Sequence, residues 1–101
     1  MKQKIYISGK ITGLPLLDMV RKFEQAEEYL TGCGWDVINP LKLDHTANEL
    51  KYWEVFMKTD LKAMLHIDCN NIYVLPCWQD SPGAKMEVWL AIQLSYNIIW
   101  A

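Results

Sequence analysis

Short runs of β-branched and aromatic residues alternate along this chain with longer stretches of helical spacing, and this alternation constrains the fold most. The strand-like runs cover residues 4–8, 35–39, 71–75 and 97–100. Such runs, when Gly or Pro bounds them, are typical of β-strands. The run at 71–75 is apolar almost throughout, which favours a strand buried on both faces of a sheet.

Three helical stretches separate these strands. The first carries its apolar stripe from Leu16 to Leu30 and is closed by Gly32 and Gly34, the second spans about 49–66, and the third covers 83–96. Alternating strands and helices predict right-handed βαβ crossovers and a mainly parallel sheet covered on both faces. The sequence therefore predicts one α/β domain over residues 1–101, a three-layer sandwich with a flavodoxin- or Rossmann-like sheet of four to five strands.

Charge and hydropathy exclude several kinds of partner. Twelve acidic and ten basic residues give a net charge of −2, which argues against a nucleic acid polymer as partner because that needs a basic face. The apolar runs are interrupted well before the ~20 residues that a membrane span requires, so no membrane partner is expected. Lys10 interrupts any apolar region of the signal-peptide type. We expect a cytoplasmic protein.

The metal-binding residue types show no ligand-like spacing. Cys33, Cys69 and Cys77 form no C-x-x-C pair, and His45 and His66 are far apart in the sequence. The sequence predicts reduced, partly buried thiols, no metal and no cofactor.

Ligands of parallel sheets bind where strands end, so the residues after each strand are the informative ones. The first strand runs into Ser8-Gly9-Lys10, and the third helix is preceded by a loop at 78–83. Glycine allows a backbone to approach a ligand closely, but an ordinary turn between strand and helix explains the same residues. In the loop, Ser81 fits an N-cap and Pro82 the first helical position.

Two carboxylates lie on or near apolar helix stripes. Glu87 falls within the stripe formed by positions 84, 87, 88, 91 and 94–95, where a carboxylate is costly unless it is paired or functional. It either reaches solvent at the edge of the stripe or points inward, where the Tyr6 hydroxyl is a candidate donor. Asp60 lies at the margin of the second helix's stripe, and periodicity alone favours a solvated side chain.

Taken together, these segments resemble the nucleoside 2-deoxyribosyltransferase superfamily, including the 2′-deoxynucleoside 5′-phosphate N-hydrolases and small phage-type relatives. The matching segments follow the family order across nearly the whole chain: Lys4-Ile5-Tyr6-Ile7-Ser8-Gly9-Lys10-Ile11-Thr12-Gly13, then Asp60-Leu61, then Ile72-Tyr73-Val74-Leu75, then Ser81-x-Gly83-x-x-x-Glu87-x-x-x-Ala91.

The resemblance implies a role for each matched residue. Glu87 matches the nucleophile that attacks the anomeric carbon, Tyr6 the tyrosine that orients it, and Asp60 the aspartate near the departing base. The 5′ end of the sugar is implied to bind the residues of the two turns, which are Ser8, Gly9, Lys10, Ser81 and Gly83. The implied activity is cleavage or transfer at the N-glycosidic bond of a deoxyribonucleoside or its 5′-monophosphate, through chemistry of the retaining type.

Further expectations concern the substrate end and the partners. Ser81 stands where transferases acting on free nucleosides usually carry an aspartate, and Lys10 adds a positive charge, so a 5′-monophosphate is the expected substrate. Trp78 is a candidate to stack on the base, and the other four tryptophans are expected in the core or an interface. The small domain size and the resemblance both predict a homodimer or higher homo-oligomer. The alternatives are a non-catalytic protein that sequesters a nucleotide, and a structural protein whose apolar helix faces mediate assembly.

Overall fold

The computed structural model describes residues 2–11, 13–45 and 53–101. Within these ranges the strands are β1 Lys4–Ser8, β2 Asp36–Ile38, β3 Cys69–Val74 and β4 Asn97–Trp100, and the helices are α1 Leu16–Gly32, α2 Trp53–Met64 and α3 Pro82–Gln93. Short 3₁₀ turns at Pro40–Lys42 and Trp78–Asp80 follow β2 and precede α3.

The four strands form one parallel sheet in the order β2-β1-β3-β4. Side chains alternate along β1, so Ile5 and Ile7 face α1 and pack against Phe23 and Leu30. Tyr6 faces the opposite side, where Met64 and residues of α3 complete a second core cluster. The predicted three-layer α/β sandwich is therefore confirmed, with α1 on one face and α2 and α3 on the other.

The chain order places the point where winding reverses between β1 and β3. From β1 the chain moves outward to β2, and it then returns past β1 to β3 and β4. The carboxyl ends of β1 and β3 are joined by a hydrogen bond of 2.8 Å from the Leu75 N–H to the Ser8 carbonyl. Ligands of open α/β sheets bind beside such a reversal.

Some predicted boundaries are wrong by a few residues. The third helix ends at Gln93 rather than near Tyr96, because the chain turns through Ser95 in the left-handed region (φ 59°). Leu94 is consequently 53% exposed and does not extend the inward stripe. Positions 49–52 of the second predicted helix lie outside the described residues, and α2 ends at Met64 rather than at 66.

Side-chain exposure also corrects the expectation for the thiols. Cys69 is buried, whereas Cys33 and Cys77 are exposed rather than partly buried. Trp53, Trp89 and Trp100 are 43%, 59% and 54% exposed, so of the two predicted locations, core or interface, they do not occupy the core. In the described ranges, no helix has the length and apolar character needed to cross a membrane.

Candidate active site

A cavity of about 490 Å³ opens at the carboxyl end of β1, bounded by the turns after β1 and β2 and by the inner faces of α2 and α3. This volume is within the range of small-molecule sites, roughly 300–1,000 Å³. Most of its wall is apolar and is built by Ile11, Met19, Leu41, Trp53, Phe56 and Met57. Two carboxylates, Glu87 and Asp60, interrupt this wall.

Glu87 projects from α3 toward the sheet and is held by two hydroxyls. Tyr6 Oη donates to Glu87 Oε2 at 2.6 Å, and Ser8 Oγ donates to Oε1 at 2.7 Å. Tyr6 and Ser8 are two positions apart on β1, so the pleat directs both hydroxyls to the same face of the sheet. Glu87 as a whole is 4% exposed, and it lines the cavity.

Burial dominates the electrostatics of Glu87. Desolvation raises its pKa from the ordinary value of 4.5 to about 7, although the hydrogen bonds from Tyr6 and Ser8 act in the opposite direction. The charge of Asp60 adds a smaller increase. The pKa of Tyr6 is in turn raised well above its ordinary value, first by burial and then by the charge of Glu87. The site thus holds a carboxyl group that titrates near neutrality.

Asp60 is also buried, at 6% exposed, and the periodicity-based prediction of a solvated side chain is wrong. Its Oδ1 lies 2.9 Å from Nε2 of His45. Burial raises the pKa of Asp60, while the hydrogen bond and charge of His45 lower it. The margin of the helix stripe faces the cavity rather than solvent, because the connection after β2 brings His45 over it.

The loop residues close the cavity at the start of α3. Ser81 is the N-cap, and its Oγ accepts a hydrogen bond of 3.2 Å from the Ala84 N–H. A Cβ on Gly83 would lie 2.9 Å from Met57 Sδ, and a Cβ on Gly9 would lie 2.9 Å from Leu75 Cδ1. Both glycines therefore allow close packing of the elements around the cavity.

Four predicted residues do not line the cavity wall: Tyr6, Ser8, Lys10 and Trp78. Lys10 is half-buried in the turn after β1 and does not line the cavity. Trp78 packs against Trp100 with ring centroids 5.5 Å apart, beside a smaller cavity of about 270 Å³ at the ends of β3 and β4. Tyr6 and Ser8 are fully buried and meet the cavity only through Glu87.

The sequence did not predict that His45 contacts Asp60 in this site. His45 lies on a polar connection without periodicity, so no local pattern signalled its contact with a residue fifteen positions later. Across the described residues, no group of three or more His, Cys, Asp or Glu is arranged to hold a metal ion.

The fold and the cavity together define a small parallel α/β protein with a buried, hydroxyl-bound carboxyl group facing an apolar cavity. Residues 3–100 match the model of a domain of unknown function, DUF4406, and the chain belongs to this family. A search of curated proteins gave no match.

Proposed function

We propose that this protein cleaves or transfers at the N-glycosidic bond of a 2′-deoxyribonucleoside or its 5′-monophosphate, with Glu87 as the nucleophile. The observation that carries the proposal is the placement of Glu87: its two oxygens are fixed by Tyr6 and Ser8 on a rigid strand, and it faces a cavity of about 490 Å³. A carboxylate held in this way suits attack on an anomeric carbon.

The first step would form one bond and break another. A Glu87 oxygen bonds to C1′ while the bond from C1′ to the base nitrogen breaks, and its electron pair stays on the nitrogen. Asp60, whose pKa burial raises, supplies a proton to the departing base. In the second step a water molecule, or the nitrogen of another base, attacks C1′ and releases Glu87. Water gives hydrolysis and a base gives transfer.

The wall of the cavity supports a planar, largely apolar substrate portion beside the carboxylates. Trp53 and Phe56 from α2 and Leu41 from the turn after β2 provide apolar and aromatic surface near Asp60. Ser81 and Gly83 lie across the cavity at the start of α3, where a sugar 5′ end could be held. We propose the 5′-monophosphate as the preferred substrate, with Ser81 at its phosphate end and the charge of Lys10 acting on the phosphate through solvent.

A non-catalytic nucleotide-binding protein is the second candidate. The observation that favours it is that both oxygens of Glu87 already accept short hydrogen bonds, which stabilise the carboxylate and lower its nucleophilicity. The same apolar cavity would then sequester a nucleotide without cleaving it.

The deciding experiment incubates the protein with a panel of deoxyribonucleosides and their 5′-monophosphates and measures free base by chromatography. Release of a base that depends on enzyme concentration supports the proposal. Ligand-induced thermal stabilisation without base release supports the sequestering protein instead. Neither effect with any member of the panel contradicts both.

We also propose that the chain forms a homodimer. The outer side of α3 exposes Met86, Trp89 and Ile92, although its inner side is buried, so the helix is apolar on both sides. A helix that is apolar on both sides is typical of one whose outer side is covered by another protein surface. Light scattering at micromolar concentration should give about twice the monomer mass of 11.8 kDa, and the monomer mass itself would contradict the dimer.

A further inference from the structure

The proposed reaction uses Asp60 but leaves the function of His45 open. His45 Nε2 lies 2.9 Å from Asp60 Oδ1, and the two side chains are only 19% and 8% exposed. Both residues line the same cavity as Glu87. A hydrogen bond of ordinary length between two shielded groups restricts the orientation of the carboxyl group.

The imidazole of His45 is itself held in place. Its ring centroid lies 4.8 Å from that of Phe56, at an interplanar angle of 37°. Phe56 precedes Asp60 by four residues on α2, so the two side chains are neighbours on one helix face. One face of α2 therefore presents both the ring that packs on His45 and the carboxyl group that contacts its Nε2.

The charges in the cavity give this contact a chemical consequence. Among the described residues that line the cavity, His45 is the one side chain able to carry a positive charge near two carboxyl groups. Among the residues that the structure describes, the titratable groups around Asp60 are His45 from the connection, Glu87 from α3 and Tyr6 from β1. The hydrogen bond between His45 and Asp60 contains a proton that either group can accept, whereas the described donors to Glu87 are hydroxyls.

We propose that His45 is a positioning residue for Asp60 and shares with it the proton that the departing base takes up. This inference rests on the proposed function. As the bond from C1′ to the base breaks, its electron pair remains on the base nitrogen and the shared proton moves to that nitrogen. Neutral His45 and the Asp60 carboxylate remain. The pair is protonated again when the incoming water loses its proton during release of Glu87.

The test compares two substrates that differ in their need for a proton. 2′-Deoxyguanosine requires protonation of its departing base, whereas its 7-methyl derivative carries a cationic base that leaves without one. His45→Ala should lower kcat/KM on 2′-deoxyguanosine by about 10²-fold, the lower part of the usual range for general acid catalysis. On the 7-methyl substrate the same variant should stay within about threefold of the parent, since no proton transfer is lost.

Two further variants separate positioning from folding. Gln can place its Nε2 near the position of the imidazole Nε2, so His45→Gln should recover part of the lost kcat by restoring the hydrogen bond to Asp60. His66→Ala is the matched control, since His66 is exposed and contacts Asp68 rather than the cavity. It should leave both substrates at the parental rate.

The outcomes separate this inference from the proposed function. If His45→Ala lowers kcat/KM equally on both substrates, or lowers it on neither, the proposed role of His45 is contradicted. The proposed reaction still holds in that case, provided that Glu87→Gln abolishes activity on both substrates. If the parent protein releases base neither from these two substrates nor from any member of the panel of deoxyribonucleosides and 5′-monophosphates, the proposed function and the proton transfer are both contradicted.

Discussion

The two carboxyl groups of the cavity are both buried, but their hydrogen-bond partners differ. The partners of Glu87 lie on a regular strand, whereas the partner of Asp60 lies on an irregular connection. Glu87 accepts hydrogen bonds from two hydroxyls on a central strand. Asp60 contacts an imidazole from the connection after β2. Hydroxyl donors orient a carboxylate without changing the net charge of the site, whereas an imidazole can bring a proton. This difference supports the proposed roles, in which Glu87 attacks the anomeric carbon and Asp60 transfers the proton.

Replacing Glu87 should produce the largest effect in this comparison. Glu87→Gln keeps the shape of the side chain but removes the nucleophilic charge, so we expect kcat to fall by about 10³-fold or more while ligand affinity changes only a few-fold. Base release and calorimetric binding should be measured on the same preparation. Glu24→Gln, on an exposed position of α1, is the matched control. Parental turnover in Glu87→Gln would contradict the assigned mechanism.

The same substitution should change how stability depends on pH. Below pH 4.5 Glu87 is protonated in both folded and unfolded chains, and above about 7 it is ionised in both. Between these values the folded chain binds more protons, so this group lowers the free energy of unfolding as pH rises. The interval from 4.5 to about 7 corresponds to about 3 kcal/mol.

Urea unfolding of the parent and of Glu87→Gln at several pH values measures this cost. The stability of the variant relative to the parent should increase by about 3 kcal/mol from pH 4.5 to pH 8, whatever its offset at low pH. If the free energies of unfolding of the two proteins changed with pH in parallel, ionisation of Glu87 would not destabilise the folded state, and this prediction would be wrong.

Removing either of the two hydroxyl donors should have a smaller effect on activity than replacing Glu87, and the two effects should differ in size. Each hydrogen bond to Glu87 lowers its pKa, Tyr6 more than Ser8, so removing one should raise that pKa further. Tyr6→Phe should lower kcat/KM at pH 7 by about 10- to 100-fold, in line with the strength of hydrogen bonds to charged groups, and Ser8→Ala should lower it less.

The rising limb of the pH–rate profile should move to higher pH in both donor variants. Tyr96→Phe is a suitable control because it removes a hydroxyl that donates to the Met64 carbonyl at 2.6 Å, outside the cavity. Profiles that keep the parental midpoint in Tyr6→Phe and Ser8→Ala would show that the hydroxyls do not set the ionisation of Glu87.

How far the sequence predicts this site depends on which elements carry it. Tyr6 and Glu87 lie on a regular strand and a regular helix, so periodicity could place Glu87 inward and suggest Tyr6 as its donor. Asp60 was ambiguous because its position at the margin of a stripe fits either solvent or a cavity. The contact between His45 and Asp60 depends on how an aperiodic connection returns over α2, and tertiary packing alone determines that path. For Trp78 the prediction was wrong in the opposite way: its position beside the loop in the sequence suggested a place at the cavity, but it does not line the cavity wall.

The smallest expected effect concerns Lys10, which sequence reasoning placed at the substrate phosphate. A charged hydrogen bond there would be worth about 1.5–3 kcal/mol. Lys10 does not line the cavity, so its charge acts through solvent and should contribute at most about 1 kcal/mol. Asp80, the acidic residue just before Ser81, is exposed and does not line the cavity, so we do not expect it to repel a phosphate there. Calorimetry should therefore show tighter binding of a 5′-monophosphate than of its nucleoside, and Lys10→Ala should reduce that preference by no more than about fivefold.

Lys62→Ala, which replaces an exposed lysine on α2, is the control for a general loss of positive charge. Equal affinities for the two ligands in the parent would contradict the phosphate preference, and a loss above tenfold in Lys10→Ala would show that the lysine reaches the phosphate directly.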